Sequence, residues 1–63
     1  MLITKPNLTR PDDIYANLIA AHDGLSEAES HAMNARLILL LMNHIGDGNV
    51  IEEALKTARH VRA

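Results

Sequence analysis

Leu37-Ile38-Leu39-Leu40-Leu41-Met42 sets six large apolar side chains in succession within a stretch that reads as helix. Consecutive helical residues point about 100° apart, so the run faces every direction around its axis. A helix that is apolar all round must be covered all round. In a chain of 63 residues few other elements exist to cover it. The mismatch points to a partner, most simply a second copy of the chain.

The run forms the second half of a helix with clear ends. Ser26-Glu27-Ala28-Glu29 matches a capping box: Ser26 and Glu29 can each accept a hydrogen bond from the other's backbone amide. Gly46, able to adopt positive φ, follows Ile45 and marks the stop. The helix so bounded runs for about 19 residues, or roughly 28 Å at 1.5 Å per residue, and is expected to be central.

A shorter helix precedes it. Thr9 is the expected cap, Pro11 suits the first turn, and Asp12 and Asp13 favour the positive end of the helix dipole. Ile14, Tyr15, Leu18, Ile19 and His22 fall on one face, and Gly24 closes the element. A third helix follows Asp47-Gly48-Asn49, with Asp47 or Asn49 as its cap. Its stripe is Ile51, Ala54, Leu55, Ala58 and Val61, with Glu52 and Lys56 spaced for an exposed pair on the opposite side. Lys56, Arg59, His60 and Arg62 crowd its C-terminal end, where cations suit the dipole. Such short connections predict antiparallel neighbours.

The expected fold is therefore all-α: a three-helix protomer, residues 9–63, behind an extended arm, residues 1–8. Leu2, Ile3 and Leu8 make that arm apolar enough to lie against a neighbour. Along the central helix, Ala28, Ala32, Ala35, Leu39 and Met42 follow spacings of four and three, the seam of a heptad. A second row runs Met33, Leu37, Leu40 and His44, and a third runs Ile38, Leu41 and Ile45. The first and third helices can each cover one row. The row left over predicts a homodimer, built as a four- or six-helix bundle.

Composition supports the same reading. A domain this small is marginal alone, and without Cys it has neither disulfides nor thiolate metal sites. Tyr15 is the one aromatic residue, so any core is aliphatic. An apolar fraction of 48% is that of a folded chain. The net charge of −2 opposes general nucleic-acid binding. No signal peptide is visible, and six apolar residues fall far short of the roughly 20 that span a bilayer. A soluble cytoplasmic protein is expected, with no membrane and no nucleic acid among its partners.

Chemistry is sparsely encoded. Glu29, Arg36 and Asn43 lie seven apart, along nearly one line of the central helix. That line serves either as a solvent face or a set of hydrogen bonds that fixes helix register and oligomer geometry, or as the wall of a small site with Arg36 as anion or carboxylate anchor. A candidate polar site would gather Arg36, Asn43, His44 and Asp47 near the Gly46 turn. His31 stands four residues after Glu27, and His44 three before Asp47. Neither His-Glu-x-x-His nor Glu-x-x-His occurs, so a metal site would have to be assembled across helices or chains. Ser26 and Ser30 are accounted for by capping and helix position, and Asp12, Asp13 and Tyr15 by their place in a first helical turn. The three glycines stand at helix ends and form no phosphate loop. Neither a catalytic residue nor a cofactor is expected.

Two stretches carry a resemblance. Pro11-Asp12-Asp13-Ile14-Tyr15 continues to Leu18-Ile19-Ala20-Ala21-His22-Asp23-Gly24-Leu25-Ser26, and Asn34-Ala35-Arg36-Leu37-Ile38-Leu39-Leu40-Leu41 precedes Asn43-His44-Ile45-Gly46-Asp47. Over about residues 11–60 the chain resembles a family of short proteobacterial proteins classed as a domain of unknown function. The resemblance implies a small cytoplasmic helical protein with no assigned activity. It also implies an accessory role beside flavin-dependent oxidoreductases of aromatic-compound breakdown. It transfers no functional residue. Residues and resemblance together give the expectation of a small non-catalytic interaction or accessory protein, acting as a homodimer and associated with a larger protein such as an oxidoreductase. The alternatives are a small-ligand or metal-binding helical dimer and a helix-turn-helix DNA binder.

Overall fold

The computed structural model describes residues 1–60. Three helices follow one another: α1, Pro11–Ala21; α2, Glu27–Ile45; α3, Gly48–His60. No strand occurs among the described residues, and the chain is all-α. Residues 1–8 form no regular element.

α2 begins and ends as its sequence dictates. The Ser26 hydroxyl accepts from the Glu29 amide at 3.2 Å, and the Glu29 carboxylate accepts from the Ser26 amide at 2.8 Å. At the other end Gly46 adopts φ 65°, and its N–H closes the last turn on the Met42 carbonyl at 3.0 Å. α3 is capped by Asp47, whose Oδ1 accepts from the amides of Asn49 and Val50 at 3.0 and 3.3 Å. Asn49 already lies inside that helix.

α1 departs from expectation at both ends. Thr9 is not its cap. With Pro11 in the first helical position the cap falls on Arg10, in the left-handed region at φ 60° and with no side-chain cap bond. A residue before proline is pushed away from right-handed helical angles, so the helix cannot extend back through Arg10. The Arg10 guanidinium instead folds over the first turn, with Nε donating to the Asp13 carboxylate at 2.7 Å. At its other end α1 stops at Ala21, three residues before Gly24. Gly24 holds φ 78° within the turn that leads to α2.

α1 and α3 lie along neighbouring sides of α2 without enclosing it. Ile14, Leu18 and Ala21 face Met33, Leu37, Leu40 and Leu41 across an open groove of about 600 Å³. No Cα of α1 comes within 8 Å of α2. The five-residue face read in α1 therefore divides. Ile14 and Leu18 line the groove, while Tyr15 and Ile19 lie outside it, both at least half exposed. α3 approaches more closely, setting Val50, Ile51, Ala54, Leu55 and Ala58 beside Ile38, Leu41, Met42 and Ile45. Leu2 joins that second groove and is half-buried, whereas Ile3 and Leu8 remain exposed. Val61 and Arg62, read as parts of the third helix, lie outside the described residues.

No side chain among the described residues is fully buried. The chain exposes 5936 Å². A compact chain of its mass exposes about 4,000 Å² and an unfolded one about 10,000 Å². Folding thus removes only about 40% of the unfolded surface, where a domain this small should remove about 60%. The radius of gyration, 13.3 Å, likewise exceeds the roughly 11 Å of a compact chain of this length.

Candidate interaction surface

The three rows of α2 meet three different fates. Met33, Leu37 and Leu40 line the α1 groove, and Ile38, Leu41 and Ile45 line the α3 groove. The remaining row lies outside both interhelical grooves over most of its length. Ala28, Ala32, Ala35 and Leu39 belong to neither groove, and all four are exposed. Met42, at the end of the same row, turns toward α3 and is half-buried there. Leu39 and Leu40 are 64% and 68% exposed, values at which a leucine gains almost nothing from folding.

Beside the uncovered row runs the polar line. Arg36 and Asn43 flank Leu39 and Leu40 in one shallow depression. Arg36 and Glu29 also border a hollow of about 470 Å³, with Ala21, Leu25, Ala32 and Met33. The Ser26 amide, and secondarily its hydroxyl, hold the Glu29 carboxyl below its ordinary value of 4.5. Glu29 is thus a fixed negative charge at the N-terminal end of this face. Only its Oε1 takes the Ser26 amide, which leaves Oε2 toward solvent.

The polar set Arg36, Asn43, His44 and Asp47 is not drawn into one place. Arg36 and Asn43 share the depression beside Leu39, while Asp47 is spent on capping α3. His44 lines neither that depression nor either interhelical groove, and all four residues are exposed. Among the described residues no group of three or more His, Asp or Glu side chains could hold a metal ion. Of the two carboxylate–histidine pairs, His31 stands 3.6 Å from Glu27 in full exposure. Such a pair contributes little.

Sequence reasoning missed one contact. His22 Nδ1 and Ser30 Oγ stand 2.9 Å apart, part-buried, and tie the end of α1 to the first turns of α2. His22 is the C-cap of α1, its N–H bonded to the Ile19 carbonyl at 3.0 Å, and its side chain reaches across to α2. Eight residues separate the pair across a turn, a spacing with no helical period to expose it.

The chain belongs to the DUF2783 family, described as a protein family of unknown function, whose model matches residues 2–60. No curated protein and no solved structure matches it.

Proposed function

We propose that this member of a family of unknown function is a cytoplasmic, non-catalytic interaction protein that acts as a homodimer and docks on a larger partner. One observation carries the reading: about 1,900 Å² more surface is exposed than a compact chain of this mass allows. The extended arm and the exposed apolar residues of α2, Leu39 and Leu40 among them, both contribute to that excess. A standard interface takes about 800 Å² from each partner, and obligate ones take more. The excess is more than twice a standard partner's share and falls in the obligate range of about 1,000–2,500 Å² from each partner.

Apolar surface left after pairing, or the basic end of α3 with Lys56, Arg59 and His60, supplies the contact with the larger protein. An oxidoreductase is the partner class that the sequence resemblance suggests. The test is sedimentation equilibrium at micromolar concentration. A dimer mass supports the reading, and a monomer mass across the range refutes it. Among the described residues no group of three or more His, Asp or Glu side chains favours a metal site over this interface.

A further inference from the structure

The uncovered face of α2 carries its own complement. Reversing the row Ala28, Ala32, Ala35, Leu39 about the midpoint between Met33 and Asn34 pairs Ala28 with Leu39 and Ala32 with Ala35. Each large side chain at 39 then meets a methyl at 28, and the centre is alanine on alanine. We infer that two chains pair through this face, their α2 helices antiparallel and related by a two-fold axis between Met33 and Asn34. The inference rests on the homodimer reading and assigns its geometry.

Three observations support this occupant. Surface in excess by about 1,900 Å² on each chain is enough for an obligate interface with a second copy. α1 and α3 line the other sides of α2, and of the two only Ala21, the last residue of α1, reaches the edge of this face, beside Ala32. The charges are self-complementary. At 1.5 Å per residue, Glu29 stands about 3 Å along the axis from the partner's Arg36, whereas the two Arg36 side chains are offset by about 7.5 Å. Both residues flank the row on the same side, where antiparallel helices place facing charges. Glu29 is held ionised by its cap, and no carboxylate among the described residues pairs with Arg36 within 4 Å. The two-fold axis uses each pair twice.

Mixing experiments on the full chain separate this geometry from any other dimer. Arg36→Glu and Glu29→Arg each put like charges across the axis. Each alone is expected to weaken dimerisation at least tenfold at low salt, while an equimolar mixture restores wild-type affinity through heterodimers. Ala28→Leu and Leu39→Ala repeat the logic in size rather than charge and leave the Ser26 cap intact. Each is weak alone, and the mixture recovers. Dimer dissociation constants come from sedimentation, with helix content checked by circular dichroism. A dimeric wild type whose affinity ignores these variants, or mixtures no tighter than their components, overturns the α2 pairing and leaves the homodimer reading standing. A wild type monomeric at every concentration overturns both.

Discussion

Dilution is the perturbation that separates an incomplete fold from a complete one. A chain that removes only about 40% of its unfolded surface lacks the burial on which a lone domain of this size depends. If the missing burial comes from a second copy, folding and association are one reaction, and the thermal midpoint depends on concentration. The size of the effect follows from chain length. Unfolding entropy near 60 °C is about 2.1 cal/mol/K per residue, which for two chains of 63 residues comes to about 0.26 kcal/mol/K. A tenfold dilution costs the dimer about 1.4 kcal/mol. The midpoint therefore falls by about 5 °C per tenfold dilution, and by about 10 °C between roughly 300 and 3 μM protomer.

The assay is circular dichroism at 222 nm with path length scaled to concentration, so that signal stays constant. Reversibility is verified by rescanning the cooled sample. A monomer unfolds in a unimolecular step and its midpoint stays fixed. A shift below about 1 °C over those two decades would refute the coupling, since the expected shift rests only on chain length and stoichiometry.

Local features give sharper and smaller expectations. Ser26→Ala removes the hydroxyl that accepts from the Glu29 amide and should cost about 1 kcal/mol, read as a lower urea midpoint and faster hydrogen exchange at Glu29. Two glycines should respond with opposite signs. Gly46→Ala has room for its methyl but must hold φ 65°, costing about 1–2 kcal/mol, whereas Gly48→Ala, at ordinary helical angles in open space, should gain about 0.4–1 kcal/mol. Ser30→Ala breaks the tie to His22 and should speed exchange in α1 more than in α3, at a cost of about 0.5–1.5 kcal/mol. Acid should loosen the start of α2. Because the folded Glu29 carboxyl titrates below 4.5, its stabilisation is present above that pH and is lost as pH falls through the lowered value. A carbon-detected titration should place the Glu29 midpoint below 4.5 and move it back toward 4.5 in Ser26→Ala.

What the sequence made legible was whatever one helix decides for itself. Ser26 with Glu29, and Gly46 after Ile45, are signals read within a single turn of backbone, and both ends of α2 fall where those residues put them. Arg10 shows the limit of the same reasoning. A proline at the first helical position moves the cap to whatever residue precedes it, here one with no capping side chain, and Thr9 is left one place too far out. Packing was less legible. Periodicity placed Ile14, Tyr15, Leu18 and Ile19 on one side of α1, but which of them meets α2 depends on the angle at the turn. That angle rests on Gly24 and on the His22–Ser30 bond, and neither leaves a periodic trace. The polar set near Gly46 was drawn together by sequence distance alone, and the capping demand of α3 took Asp47 away from it.

Neither closing α1 nor tightening α3 relieves the exposure of Leu39. Closing α1 onto α2 would bury Leu37 and Leu40 more deeply, yet Leu39 points about 100° from Leu40 and farther still from Leu37. Tightening α3 would bury Ile38 and Ile45 and would cover Met42, already half-buried there, from its inner side only. α1 and α3 enter and leave α2 through short turns, Gly46 and Asp47 on one side and residues 22–26 on the other. Turns that short hold each helix against the flank it already lines. The row from Ala28 to Leu39, apart from its edge at Ala32, is thus out of reach of both helices that follow the chain's own path. A side chain as apolar as Leu39, on the longest helix and beyond the reach of α1 and α3, gains burial most directly from cover by a second chain. The alanines preceding it determine how close that cover can come, and the alternation of methyl and leucine determines which way it must run.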